Sequence, residues 1–237
     1  MSGADCAGEQ GADPSSGSGP ARVVITIDGP AASGKSSAAR LLAQRLGVAY
    51  VSSGLLYRAA TLLALRHAAP LDDEAALLAL LARHDVRLHP GAAANRLTID
   101  WADLTDDLHT DAVDGSVSAV ARHQGVRAWV NARLREMGGS FVIDGRDMGT
   151  SVFPDAVAKF YLTADARVRA ARRAGERGAA LEAIAAELTR RDERDQRQSV
   201  PAPDAQVIDT SALTLAEVVE RILAAVLRVL PYKAVTT

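Results

Sequence analysis

Apolar, mostly β-branched residues at Val23, Val24, Ile25 and Ile27 stop at Asp28-Gly29, and apolar residues resume at helical spacing with Ala38, Leu41 and Leu42. The pattern predicts a buried strand, a glycine-bounded loop and a helix from Ser36 through Leu46. Val48 to Val51 predicts a second strand. Gly54 to Ala69 (Leu55, Leu62, Leu63, Leu65) reads as a helix closed by Pro70, and Asp72 is placed to cap another running to about Arg83. From Asp85 to Thr105 the period falls to two. Val86-Arg87-Leu88 and Leu97 to Trp101 flank the turn-rich stretch 90–95, which predicts a small β-hairpin. Helix returns from Val113 to Met137, with a break at Gly125 and an end at Gly138-Gly139. Phe141 to Asp144 and Val157 to Leu162 read as strands. Helices are expected from Asp165 to about Ala174 and from about Ala179 to Arg194, then a short strand at Val207-Ile208 and a last helix from Leu215 to Leu230. Strands alternating with helices predict a parallel sheet covered on both faces, and the hairpin predicts a small insertion into it.

The loop after the first strand carries the most specific chemistry. Gly29-Pro30-Ala31-Ala32-Ser33-Gly34-Lys35-Ser36 satisfies G-x-x-x-x-G-K-[ST] with every fixed position filled, between a strand and a helix as the mechanism requires. Such a loop surrounds a phosphate with main-chain N–H groups. Its lysine reaches the β- and γ-phosphates, its serine hydroxyl ligates Mg²⁺, and the helix N-terminus points at the same anion. The chain's three lysines are Lys35, Lys159 and Lys233, all other basic side chains of this type being arginine. A lysine at the one position that wants a flexible point charge is therefore informative.

Composition excludes more than it proposes. At 237 residues the chain fits one α/β domain with insertions or two small domains. A net charge of −2, with no basic stripe interleaved with aromatics, argues against nucleic acid or an anionic membrane as partner. The one cysteine, Cys6, leaves no disulfide framework and fits a reducing cytoplasm. Residues 1–21 are rich in Gly, Ser and Ala and are expected to be a disordered tail. They lack the basic start and apolar core of a secretory signal. No uninterrupted apolar stretch is long enough to span a bilayer. The five histidines have no ligand spacing and read as surface or hairpin residues. Trp101 and Trp129 read as packing residues, and no Asn-Lys-x-Asp guanine-reading motif occurs.

Three further clusters bear on function. Val142 to Asp144 is an apolar strand ending in a carboxylate, the arrangement a phosphate-loop enzyme uses beside its magnesium; Arg146 and Asp147 follow at once. Ser52-Ser53-Gly54-Leu55-Leu56-Tyr57-Arg58 opens a helix that Ser53 is placed to cap. The arginines from Arg167 to Arg197 alternate with carboxylates. For any single one an ordinary charged helix face is the better reading. The cluster as a whole points to charge stabilisation of phosphoryl transfer by a closing segment.

With these motifs in view, the sequence resembles the bacterial cytidylate kinases from about Val23 to Leu230. The most specific match is the run from Asp144-Gly145-Arg146-Asp147-Met148-Gly149 to Ala156, joined by the loop at Ile27–Ser36 and by Ser53-Gly54-x-x-Tyr57-Arg58. The resemblance implies a P-loop NTPase-type parallel sheet flanked by helices, with a small inserted monophosphate-binding domain containing the β-hairpin and a short helical lid. It places a kinase domain at 22–231: a core of 22–52, 139–164 and 205–231, a monophosphate-binding region at about 53–138, and a lid at about 165–204. It implies that Gly29, Pro30, Ala31, Ala32, Ser33, Gly34, Lys35, Ser36 and Ser37 hold ATP, with Ser36 on Mg²⁺. Arg58 and Arg146 would grip the CMP phosphate, Ser118, Arg127 and Asp147 would read the cytosine edge, Asp195 would contact the sugar, and Ser53 and Asp144 would complete the CMP site. Lys35, Arg146 and Arg191 would be catalytic, Arg191 from the mobile lid.

Two positions depart from the family pattern: Ser52 stands where an aspartate is usual, and Gln198 where an arginine is, leaving Arg197 or Arg194 to take that place. The implied reaction is ATP + (d)CMP → ADP + (d)CDP in a cytoplasmic monomer that binds neither nucleic acid nor membrane. The residues alone leave open another small-molecule kinase on the same scaffold, with UMP or shikimate as acceptor, and a nucleotide-binding switch without transfer activity.

Overall fold

The computed structural model of the chain describes residues 22–177, 181–195 and 199–230. The tail expected at 1–21 lies outside them, as do Arg197, Gln198 and the side chains of Arg191 and Arg194. Strand β1 (Val24–Asp28) leads through the glycine-bounded loop into helix α1 (Lys35–Leu46), followed by β2 (Ala49–Ser52). Helices α2 (Gly54–Arg66) and α3 (Glu74–Arg83) precede three short strands, β3 (Val86–His89), β4 (Arg96–Ile99) and β5 (Ala102–Asp103). Helices α4 (Asp111–Ala121) and α5 (Gln124–Arg135) return the chain to β6 (Phe141–Gly145). Then come β7 (Ala158–Thr163), α6 (Ala166–Arg177), α7 (Leu181–Asp195), β8 (Gln206–Asp209) and α8 (Leu215–Val229).

Five strands form one parallel sheet in the order β2-β6-β1-β7-β8. Every residue of β1 is buried, as a central parallel strand covered on both faces must be. Alternation along the strands assigns each side chain to a layer. Val24, Val51, Phe141 and Ile143 pack among residues of α2 to α5, whereas Ile25, Ile27, Val142, Phe160 and Leu162 pack among those of α1 and α8. The loop out of β1 runs so close to β7 that a Cβ on Gly29 would lie 2.1 Å from the Leu162 carbonyl oxygen, and Gly29 also takes a φ of 149°. Only glycine fits there. No helix among the described residues is long and apolar enough to cross a membrane.

Several local expectations are corrected. Asp73, not Asp72, caps α3, its carboxylate accepting the Ala76 N–H at 3.0 Å. The break between α4 and α5 falls at Arg122-His123 rather than at Gly125. Gly125 lies inside α5, where a Cβ would come within 2.8 Å of the Leu78 side chain on α3, so close packing is its reason. The hairpin gains a third strand. Asp100 and Trp101, both at positive φ (49° and 71°), make a two-residue turn into β5. Trp101 is consequently no packing residue. It is 78% exposed, with the Arg87 guanidinium 4.8 Å from its ring centroid. Trp129 does pack against the core.

The insertion is tied to the outer edge of the parallel sheet. Tyr50 N–H donates to Gly91 O at 3.0 Å, Ser52 N–H to Asn95 Oδ1 at 2.9 Å, and Asn95 Nδ2 to Tyr50 O at 2.9 Å. One buried asparagine thus stands in for a neighbouring strand at β2. On the other side of β6, the buried Asp28 carboxylate accepts the N–H groups of Met148 (2.9 Å) and Gly149 (2.8 Å), fixing the turn after β6 to the end of β1. Burial pushes the Asp28 carboxyl up to about 6 from 3.8, against the pull of those two amides.

Asn95→Ala would leave the Ser52 N–H and Tyr50 C=O unpaired, and should lower the unfolding free energy by about 1–3 kcal/mol in chemical denaturation; a loss of a few tenths would contradict the assignment. For Asp28, the raised value means that the folded chain retains a proton the unfolded chain releases. Its contribution is fully present below 3.8 and lost as pH rises through about 6. The melting temperature of Asp28→Asn relative to wild type should therefore climb between about pH 4 and pH 7. A pH-independent difference would refute this.

Candidate active site

The carboxyl ends of β2, β6 and β1 open on one cleft of about 710 Å³, the place where open α/β sheets hold ligands. Ala31, Ala32, Lys35 and Ser36 line it from the glycine-bounded loop and the first turn of α1. Gly29 and Pro30 start the loop. Ser33 is buried behind the cleft, Gly34 caps α1 at a φ of 88°, and Ser37 is exposed outside the lining. The Lys35 ammonium folds back to donate to Pro30 O at 3.1 Å, so the lysine arches over the loop it must serve.

Asp144 closes the floor. Its Oδ2 accepts from Ser36 Oγ at 2.7 Å and its Oδ1 from Tyr50 OH at 2.8 Å. Burial and the adjacent carboxylate push the Tyr50 phenol up, keeping it a donor. Ser53, expected to cap α2, makes no cap. It already has helical backbone angles, and its Oγ donates to Asp144 O at 2.7 Å. Ser36 Oγ and Asp144 Oδ2 are hard oxygen donors in contact, while no group of three His, Cys, Asp or Glu among the described residues could cage a metal. That donor set suits a small octahedral cation that keeps phosphate and water as its other ligands.

The far wall carries arginines, each paired with a carboxylate. Arg58 of α2 pairs with Asp114 of α4 and donates to Leu108 O at 2.8 Å. Arg127 of α5 pairs with Asp147 at 2.5 Å. Arg146 pairs with Asp195 of α7 at 2.9 Å and donates to Gly29 O at 2.8 Å, joining the two walls. Ser118 lies one turn beyond Asp114 on α4. All of Ser53, Arg58, Ser118, Arg127, Asp144, Arg146, Asp147 and Asp195 line the same cleft as Lys35 and Ser36. Arg191 belongs to α7, but its side chain lies outside the described residues. His109 lines the cleft beside these pairs, and burial and the Arg58 cation lower its imidazole, favouring the neutral ring.

The arginine-rich segment divides by task. The buried Arg169 holds Ala31 O (3.2 Å), Ala164 O (3.1 Å) and Asp192 (2.6 Å), fastening α6 and α7 to the loop. Arg172 donates to Thr210 O at 2.7 Å. Arg173 lines the cleft and reaches Asp114 at 3.2 Å. Sequence reading missed Asp114, Asp28, Tyr50 and Asn95. Asp114 lies four residues before Ser118 on the same helix face, a spacing that by itself marks no partner. Asp28 was legible because Ile27-Asp28-Gly29 repeats the strand-end pattern of Ile143-Asp144-Gly145. Tyr50 and Asn95 carried no local signal.

Comparison with known proteins identifies the family. A sequence model described as cytidylate kinase matches residues 25–228. A cytidylate kinase of Thermus thermophilus is 59% identical over 207 residues, 87% of this chain and 100% of its own length. One from Deinococcus radiodurans is 56% identical over 201 residues (85% and 98%), and one from Geobacillus kaustophilus 43% over 213 (85% and 95%). The cleft, its phosphate loop and this similarity along nearly the whole described chain lead to one conclusion: the chain belongs to the cytidylate kinase family.

Proposed function

We propose that the protein transfers the γ-phosphoryl group of ATP to CMP or dCMP, giving ADP and CDP or dCDP. The observation that carries this reading is the meeting, in one cleft, of a phosphate loop with a wall of arginine–carboxylate pairs. A nucleotide-binding switch needs the first and has no use for the second. ATP would lie with its phosphates in the loop Gly29 to Ser37, under Lys35. The monophosphate would lie among Arg58 and Arg146, between the region 53–138 and a lid at 165–204 that carries Arg191.

The acceptor phosphate is largely a dianion near pH 7, its second pKa being about 6. It therefore attacks without a general base. Its oxygen forms the new bond to the γ-phosphorus as the bond to the bridging oxygen of ADP breaks. Negative charge moves to that bridging oxygen, where Lys35 and Arg146 would stabilise it. Mg²⁺ bound with the nucleotide would be held by Ser36 Oγ beside Asp144, and would neutralise charge on the β- and γ-phosphates. Arg146 is fixed by Gly29 O and Asp195, so the gripping cation is set in place before substrate arrives.

Base choice follows from hydrogen-bond direction. Asp147 accepts and Arg127 donates at the far end of the cleft, with the Ser118 hydroxyl on the same lining. A cytosine offers an amine where uracil offers a carbonyl, and the wrong base would face the Asp147 carboxylate with an acceptor.

In a coupled ADP assay with Mg²⁺ and ATP, CMP and dCMP should be converted with equal formation of ADP and of the diphosphate. UMP or shikimate surpassing CMP in kcat/KM would overturn the choice of acceptor, and ADP formed without CDP would overturn transfer. Lys35→Ala should cut kcat by about 10²-fold or more, the scale of losing one oriented charge stabiliser, with an unchanged melting temperature. Near-wild-type turnover would refute the lysine's role.

A further inference from the structure

We propose that Asp114 is a positioning residue of the acceptor side. Its carboxylate holds Arg58 of α2 and Arg173 of α6 against each other, so that an incoming phosphate meets both guanidiniums already converged. The inference rests on the phosphotransfer reading and extends it to residues outside the phosphate-binding motifs. Asp114 Oδ1 pairs with Arg58 Nη2 and Oδ2 with Arg173 Nη2, one oxygen for each arginine. The carboxylate side chain is 10% exposed and lines the cleft with both partners. Asp114 and Arg173 make other interactions as well.

Two guanidiniums driven together in a partly buried site repel, and without a counter-charge they would splay apart. A carboxylate between them cancels that repulsion and fixes both planes. It does so without exhausting the Arg58 side chain, since a guanidinium has five N–H donors. The Arg58 bonds to Asp114 and to Leu108 O use two of them. Asp114 also links three elements: α2 through Arg58, α6 through Arg173, and its own helix α4, which carries Ser118 one turn further on. The grip on the phosphate and the wall expected to read the base are thereby set in register.

The experiment measures CMP affinity by calorimetry, and KM for CMP and for ATP, in wild type, Asp114→Asn, Asp114→Glu, Arg173→Met and the Asp114→Asn/Arg173→Met double variant. Asp114→Asn should weaken CMP binding and raise KM for CMP roughly ten-fold, as expected for one charge-assisted contact. KM for ATP should stay at its wild-type value, while the melting temperature falls because the two guanidiniums lose their shared counter-charge. Asp114→Glu should recover most of the loss, and Arg173→Met should add little on top of Asp114→Asn, because the two act as a unit. A tighter CMP complex in Asp114→Asn would mean that the carboxylate competes with the phosphate, and overturns the proposal. So do an unchanged KM for CMP, an equal rise in KM for ATP, or additive penalties. If Asp114→Asn does not fold, Arg173→Met decides alone, through a selective rise in KM for CMP or its absence. Wild-type protein that binds CMP without phosphorylating it would sink the activity and leave the Asp114 test intact. Wild-type protein that does not bind CMP sinks both.

Discussion

Asp144 gathers four hydrogen bonds at the end of a central strand. Its carboxylate takes Ser36 from α1 and Tyr50 from β2, and its carbonyl takes both the hydroxyl and the N–H of Ser53 at the start of α2. Three segments that must agree in position, the phosphate loop, the strand beside β6 and the helix bearing Arg58, are registered against one residue. That residue sits where β6 is buried on both faces, so it has little room to move. The floor of the cleft inherits the rigidity of the sheet.

The walls obey a second constraint. Arginines held near one another and partly removed from water are costly unless each has a counter-charge, and here Arg58, Arg127 and Arg146 have Asp114, Asp147 and Asp195. The pairs are poor evidence for stability, since exchanging a buried pair for apolar residues is often neutral. Their value is geometric. A guanidinium clamped by a carboxylate loses rotational freedom during folding rather than during binding.

Most of the scaffold was legible because its signals are local. A buried β-branched run before a glycine-bounded loop, and apolar residues at helical spacing after it, reflect periodicities that the backbone imposes. The misplaced details came from tertiary packing. Gly125 looks like a helix break and is instead a close contact with α3; Ser53 looks like a cap and is instead a ligand of a carbonyl 91 residues away in the chain. Trp101 looks like core because it is aromatic and follows an alternating run, yet the turn it occupies turns it to solvent. In the cleft, the motif-bearing residues were visible in sequence, while Asp114, Tyr50 and Asn95 were not. Their partners come from distant elements, and no short pattern encodes a carboxylate that waits for an arginine on another helix.

The join between Asn95 and β2 reaches beyond the site. A parallel sheet has two borders, and an open border is a template for pairing with another chain. At β8 the border is only four residues long. At β2 it is masked by the insertion itself, through one side-chain amide and the Gly91 carbonyl. The hairpin segment is therefore also a cover for that border. Trimming it would bare the four-residue strand next to the floor of the cleft and leave its Tyr50 and Ser52 main-chain groups open to pairing with another chain.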